Sequence, residues 1–171
     1  AMNDILKINF SDSINTATAK SFVCSLEKLC LQYPNSDTLA ISISSPGGDV
    51  DVAIELFYFL RSLECKVQTI NTSYVNSAAI LIYLAGDIRM CHVGSTFYIH
   101  SISKRLKGVY DIEALLREVK EMSVNTDIVS TILEQRTKKR KSYWKGLMSK
   151  GCILKAEQAL KLGLASTIID S

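Results

Sequence analysis

The chain has 171 residues, of which 47% are hydrophobic, and a formal net charge of +3. This length and composition predict one globular domain over residues 1–171 and exclude a disordered or low-complexity chain. The charge is too small to indicate nucleic acid, and the longest apolar run, residues 78–86, is too short to cross a bilayer, so we expect neither nucleic acid nor a membrane as a partner.

Predicted strands and helices alternate over the first 100 residues. The predicted strands are 5–10, 39–44, 65–70, 87–91 and 96–99, and the predicted helices are 15–33, 50–63 and one that begins at Ser77. This alternation predicts an α/β fold in which helices cover a mostly parallel sheet. Ligand sites in such sheets lie beyond the carboxyl ends of the strands, so the segments 45–48 and 73–77 are expected at one edge.

The remaining third of the chain is predicted to be mainly helical. Apolar residues recur at helical spacing over 111–137, which predicts a long projecting helix whose apolar stripe needs a partner. Short helices are predicted over 142–150 and 155–162, and Gly163 ends the second of them before a closing strand over 165–169.

The cysteines and the basic run suggest no special chemistry. Five scattered cysteines without C-x-x-C spacing predict reduced thiols and a cytoplasmic protein. Cys91 and His92 are adjacent, but no other ligand type clusters with them, so we expect neither a metal nor a cofactor. The basic run 136–141 is typical of a solvated helix end, where cations complement the helix dipole.

Three segments carry residues that could perform acyl-transfer chemistry, each with an ordinary alternative. Ser77 could be a nucleophile at a helix start or only a helix cap. The turn 45–48 ends in two glycines, which could aim an N–H group at an oxyanion or form a plain turn. His100 follows a predicted strand and could be a general base or an ordinary surface residue.

The order and spacing of four motifs resemble the Clp-type serine peptidases. The motifs are S-P-G-G-D-V at 45–50, V-N-S-A-A-I-L-I-Y-L-A-G-D at 75–87, F-Y-I-H at 97–100 and A-E-Q-A-L-K-L-G-L at 156–164. The resemblance extends from about residue 5 to residue 169. It implies a ClpP/crotonase-like spiral core with a projecting handle helix over about 111–137.

The resemblance also implies the roles of individual residues. It makes Ser77 the nucleophile and His100 the general base of a serine endopeptidase that forms an acyl-enzyme. The backbone N–H groups of Gly48 and Ala78 become the oxyanion hole. The extended segments after Gly48 and after His100 would bind a peptide or protein substrate by strand addition. The handle helix, which joins two rings back to back in the family, would take part in a ring-forming homo-oligomer.

The position of the family's catalytic Asp is occupied by Gly151, and no carboxylate lies between Arg140 and Lys155. That acid normally orients the imidazole and stabilises the imidazolium. A backbone carbonyl or a carboxylate from elsewhere could orient His100 instead. Alternatively, the enzyme could work as a slow Ser–His dyad, or the fold could persist without catalysis.

The first predicted strand lies at the start of the sequence, so we expect no counterpart of the family's N-terminal axial loop. This favours a standalone or phage-type relative and argues against docking to an ATPase unfoldase. Two rival functions stay open: a weak or inactive ClpP-like assembly subunit, and a crotonase-like acyl-CoA enzyme. The crotonase-like alternative usually employs a Glu facing the oxyanion hole, and none lies near Gly48 or Ser77 in the sequence.

Overall fold

The computed structural model describes residues 4–170, in which seven strands and six helices alternate. The strands are β1 (Ile5–Phe10), β2 (Thr38–Ser45), β3 (Lys66–Asn76), β4 (Ile88–His92), β5 (Thr96–Ile99), β6 (Cys152–Lys155) and β7 (Thr167–Ile169). The helices are α1 (Thr16–Gln32), α2 (Val50–Arg61), α3 (Ala79–Leu84), α4 (Ile112–Arg136), α5 (Lys141–Lys150) and α6 (Ala156–Leu162). This order confirms the predicted α/β class.

The long strand β3 is the centre of a mostly parallel sheet with the order β1-β2-β3-β4-β7. Its first part, Gln68–Asn71, pairs with β4, and its last part, Tyr74–Asn76, pairs with β5. Strand β6 adds to β5 in the antiparallel sense. The strand paired with β3 therefore changes from β4 to β5 along its length. The carboxyl ends of β2, β3 and β5 meet at one edge of the sheet.

Two local predictions were wrong at this edge. Strand β3 was expected to end at Ile70, but it continues to Asn76, because its polar end pairs with β5 and with Ser45 of β2. The helix predicted to begin at Ser77 begins at Ala79. The four-residue strand β6 was not predicted, since so short a segment has no clear periodicity.

Helix α3 is buried on every side, so it acts as a rigid base for the turn that precedes it. All six of its residues are buried. The Tyr83 hydroxyl donates to the Met90 carbonyl at 3.0 Å, and the Thr69 hydroxyl donates to the Tyr83 carbonyl at 2.7 Å. A helix that is apolar all round is stable only in the centre of a core.

Two arginines connect the end of α4 to the end of α3. Arg136 donates to the carbonyl oxygens of Leu84 at 2.9 Å and Gly86 at 2.8 Å. Arg89 donates to the carbonyl oxygen of Arg136 at 2.6 Å. Burial lowers the pKa of both guanidinium groups, but they stay charged, and a cation at a helix carboxyl end is stabilising. These bonds hold α3 in a fixed position against α4.

Helix α4 confirms the predicted long helix and exposes apolar side chains at its first half. Ile112 is 73% exposed, Leu116 is 56% exposed and Val119 is 61% exposed. The second half packs onto the core through buried Ile132 and Leu133. One cluster of buried apolar residues underlies the sheet and helices within residues 4–170, and the single domain over residues 1–171 stays a prediction.

Candidate active site

The turn that carries Ser77 packs directly against the glycine turn after β2. A Cβ atom at Gly47 would lie 2.7 Å from the Asn76 carbonyl oxygen and 3.0 Å from the Ser77 Cβ. It would also lie 3.2 Å from the backbone nitrogen of Ala78. Only glycine permits this approach, and its φ of +93° lies in the region that glycine favours. The two segments therefore meet at one sheet edge, as their positions after strands predicted.

Ser77 adopts a left-handed backbone conformation with a φ of 56°. Within residues 4–170, it is the only non-glycine residue whose φ is positive. Its N–H donates to the Tyr98 carbonyl at 2.7 Å, and its carbonyl accepts from the Ile80 N–H at 3.1 Å. Such a conformation costs about 1–3 kcal/mol and persists where the surroundings enforce it, often at functional sites. Ala78, not Ser77, is the N-cap of α3, and in the described chain no side chain caps this helix. The structure thus contradicts the simple cap interpretation of Ser77.

Two backbone N–H groups have no hydrogen-bond acceptor within residues 4–170: that of Ala78, which follows Ser77, and that of Gly48, in the glycine turn that packs against Ser77. The donors on either side of Gly48 are used, by Ser45 Oγ at 3.2 Å and by the Ile14 carbonyl at 2.9 Å. Ala78 is buried, where backbone donors rarely stay unpaired, whereas Gly48 is exposed and water can satisfy its N–H. A pair of free donors next to a hydroxyl can bind an oxyanion.

His100 leaves the end of β5, and its imidazole is held by two neighbours. Its Nδ1 lies 2.7 Å from the carbonyl oxygen of Ser101, and its ring lies 4.9 Å from the Tyr98 ring between centroids. A carbonyl oxygen can only accept a hydrogen bond, so in the neutral imidazole this contact places the proton on Nδ1 and leaves the lone pair on Nε2. This is the tautomer that a general base acting through Nε2 requires.

Gly151 lies beside His100, as the motif alignment predicted. A Cβ atom at Gly151 would lie 4.0 Å from the His100 Cβ and 3.7 Å from the Tyr98 hydroxyl oxygen. Gly151 ends α5 with a φ of 71° and a ψ of 124°, a combination that residues with a Cβ rarely adopt. Within residues 4–170, the imidazole hydrogen-bonds to the Ser101 carbonyl and to no carboxylate.

A small cavity of about 30 Å³ brings Ser77, Ala78 and His100 together. Its other walls are apolar side chains from α2, α3, β5, α4 and α5 and from the segment after β5. These residues are Val50, Ile80, Leu81, Ile99, Ile102, Val129, Leu133 and Met148. The cavity can therefore hold a small apolar group, of about the size of a methyl, beside Ser77.

A larger open cleft of about 730 Å³ starts at Gly48 and lies between the start of α2, helix α4 and the segment 102–105. Lys104 connects this segment to α4, because its ammonium group contacts the carboxylate of Glu118 and lies 3.1 Å from that of Glu121. These hydrogen bonds raise the pKa of Lys104. The extended segment expected after Gly48 is absent from the described chain, since Asp49 caps α2 directly.

Sequence reasoning missed Tyr98 and the Ser101 carbonyl as neighbours of the imidazole. Tyr98 could have been found, because residues two apart in a strand lie on the same face of the sheet, which places it beside His100. The Ser101 carbonyl carries no sequence signal, because every residue has a carbonyl.

The fold is a ClpP-like α/β fold, and it places a serine at a strained strand–helix turn. These two features define the general class as ClpP-like proteins. The sequence profile of the Clp protease family matches residues 1–171. The chain belongs to the Clp protease family.

Curated relatives support this membership. The ATP-dependent Clp protease proteolytic subunit 3 of Rhizobium meliloti is 31% identical over 158 residues, which cover 87% of this chain and 76% of the relative. The ATP-dependent Clp protease proteolytic subunit 2 of Treponema denticola is 34% identical over 131 residues, which cover 75% of this chain and 64% of the relative. These relatives point to a peptidase. The expectation that this chain acts without an ATPase stays a prediction.

A solved structure supports the fold. A mutant of ClpP1 from Listeria monocytogenes superimposes with a TM-score of 0.82 at 20% identity and covers 96% of this chain and 91% of its own. At this identity, the likeness establishes the architecture and not the chemistry of the site.

Two other kinds of site are absent from the described residues. Among residues 4–170, no helix is long and apolar enough to cross a membrane. In the same range, no three side chains of His, Cys, Asp or Glu are grouped so that they could hold a metal ion.

Proposed function

We propose that the chain is a serine endopeptidase that cleaves peptide bonds through an acyl-enzyme on Ser77. The observation that carries the proposal is the strained turn, where Ser77 shares a cavity with Ala78 and His100 and packs against the glycine turn that carries the Gly48 N–H. A nucleophile, a base and oxyanion donors are the three groups that acyl transfer needs.

In this mechanism, Nε2 of His100 accepts the Ser77 proton as the hydroxyl oxygen attacks the scissile carbonyl carbon. The N–H groups of Gly48 and Ala78 bind the oxyanion of the tetrahedral intermediate. The imidazolium then donates its proton to the leaving amine, and the peptide bond breaks to give an ester on Ser77. Water deacylates the ester with His100 again as the base. No metal or cofactor is required for these steps.

The substrate we propose is a peptide or an unfolded protein segment with an apolar residue next to the scissile bond. The apolar walls of the cavity beside Ser77 favour such a side chain. The open cleft from Gly48 along residues 102–105 can receive an extended chain, and it presents both acidic and basic side chains.

The first rival function is a ClpP-like assembly subunit without catalysis, which the replacement of the acid by Gly151 suggests. The second is a crotonase-like acyl-CoA enzyme. The relatives reported above are all Clp protease subunits, and no acyl-CoA enzyme is among them. The assembly subunit is therefore the main competitor, and labelling of Ser77 discriminates it from the peptidase.

The decisive experiment treats the assembled protein with a fluorophosphonate probe and measures the intact mass. We expect one adduct on the wild-type protein and none on Ser77→Ala, because the probe reacts with an activated serine hydroxyl. His100→Ala should lose the adduct too, since the hydroxyl is a weak nucleophile without its base. An assembled wild-type protein that acquires no adduct would refute the peptidase and favour the assembly subunit.

We also propose that the chain forms a homo-oligomeric ring and that the first half of α4 is one of its contact surfaces. Ile112, Leu115, Leu116 and Val119 follow helical spacing and are all exposed, so they form one apolar stripe. Exposed stripes of this kind commonly mark contacts between proteins. The stripe lies on the helix that the resemblance identifies as the handle.

The substitution Leu116→Asp should reduce the mass of the assembly in light scattering coupled to size-exclusion chromatography. A buried, unpaired carboxylate at the contact would cost several kcal/mol. Leu31→Asp is the matched control, because Leu31 on α1 is 82% exposed and lies outside the stripe. Equal masses for Leu116→Asp and the wild-type protein would show that the stripe does not mediate assembly.

A further inference from the structure

We infer that the main-chain carbonyl of Ser101 takes the place of the missing carboxylate and orients His100 for catalysis. The inference rests on the proposed function, because it concerns the base of the same reaction. It begins with the distance of 2.7 Å between His100 Nδ1 and the Ser101 oxygen, which is that of a good hydrogen bond. The imidazole therefore has a fixed acceptor on Nδ1 without any acidic side chain.

The Ser101 carbonyl is itself held in place. The Ser101 hydroxyl donates to the Met148 carbonyl at 3.1 Å, near the end of α5. The Gly151 N–H donates at 3.3 Å to the same Met148 carbonyl. The segment after β5 is thus fastened to the turn where the family has its acid, so Ser101 is a positioning residue that acts through His100.

The region beside Gly151, where the family has its acidic side chain, lies next to Tyr98 and disfavours any side chain at position 151. The Tyr98 ring lies 4.9 Å from the imidazole, with an interplanar angle of 35°. Its hydroxyl oxygen would be 3.7 Å from a Cβ at Gly151, so the phenol lies beside the empty side-chain position. Gly151 has a backbone conformation that disfavours any side chain. Tyr98 and the Ser101 carbonyl together restrict the ring to one orientation.

A neutral carbonyl acceptor performs one of the two tasks of the family's carboxylate, which orients the imidazole and stabilises the imidazolium. It selects the Nδ1–H tautomer and leaves Nε2 free to accept the Ser77 proton, as the reaction requires. It gives the imidazolium a dipole instead of a full negative charge, so it stabilises that intermediate less. We therefore expect a working but slow Ser–His site.

The test weakens the Ser101 carbonyl without changing any side chain. Ile102 is replaced by its α-hydroxy acid, which converts the 101–102 amide into an ester whose carbonyl is a poorer acceptor. Ile102 lies outside the helices and strands, so losing its N–H breaks no ladder. We expect kcat for a fluorogenic peptide to fall about five- to tenfold, with KM little changed, as the net value of one hydrogen bond implies. An ester between residues 34 and 35, in the exposed turn that follows α1, is the matched control and should leave kcat unchanged.

A spectroscopic measurement on the unaltered protein makes the inference testable even if the ester protein does not fold. The chain has two histidines, so ¹⁵N-histidine labelling with His92→Gln as the assignment variant isolates His100. We expect the neutral imidazole to be protonated on Nδ1. Ser101→Ala should reduce this tautomer preference, and Ser101→Thr should restore it, because Thr keeps the hydroxyl.

The outcomes separate this inference from the proposed function. A wild-type protein without a fluorophosphonate adduct refutes the peptidase itself. A labelled wild-type protein whose His100 is protonated on Nε2, or whose kcat is the same with the ester at 101–102, refutes only the role of the Ser101 carbonyl.

Discussion

Substitution of Ser77 by Ala should reduce kcat for hydrolysis of a fluorogenic peptide by about 10⁴-fold or more. The hydroxyl forms the covalent bond to the substrate, and removing a serine nucleophile removes nearly all of the catalysis that the groups of a site provide together. The fold should be unaffected, because the Ser77 main-chain bonds to Tyr98 and Ile80 do not involve the side chain. The measurement is steady-state kinetics with a substrate that has an apolar residue before the scissile bond.

Ser73→Ala is the matched control for this prediction. Ser73 lies on β3, four residues before Ser77, and it is exposed. Its loss should leave kcat within about twofold of the wild-type value, since a surface substitution away from the site has little effect. If Ser77→Ala keeps the wild-type rate while Ser73→Ala loses it, the assignment of the nucleophile is wrong.

Substitution of Gly48 by Ala should destabilise the fold by about 3 kcal/mol or more. A Cβ at this position would lie 2.2 Å from the Ile14 carbonyl oxygen and 2.8 Å from the Ile14 nitrogen. Those atoms cannot move freely, because they hydrogen-bond to Asp49 and Gly47 at 2.9 and 2.8 Å. The φ of +151° at Gly48 adds strain for any side chain. Peptidase activity should be lost as well, since the Gly48 N–H would leave its place beside Ser77.

The measurement is the midpoint of urea unfolding at one fixed protein concentration, because the stability of an oligomer depends on concentration. Gly146→Ala is the control. Gly146 lies within α5, and a Cβ there has no heavy atom within 4 Å. Its replacement should stabilise the protein by about 0.5–1 kcal/mol, as for any open helix position. A Gly48→Ala protein as stable as the wild type would mean that the turn relaxes without cost.

The sequence by itself determined the architecture and the candidate residues. The alternation of strands and helices predicted the parallel sheet, because hydrophobic periodicity reports which face of an element is buried. The order of the motifs placed Ser77, His100 and the two glycines at one edge, since parallel strands carry their carboxyl ends to the same side. The helical spacing over 111–137 predicted α4 within one residue at each end.

Only the tertiary structure decided how these residues are arranged. The left-handed conformation of Ser77 and the extension of β3 to Asn76 depend on pairing with β5, which lies some twenty residues further along the chain. Unpaired N–H groups at Gly48 and Ala78 become visible only when every neighbouring donor has been matched to its acceptor. The bond from the His100 imidazole ends on a main-chain carbonyl, and a sequence distinguishes residues by their side chains alone. Periodicity is a local property of the chain, whereas backbone strain and hydrogen-bond pairing depend on the whole packed molecule.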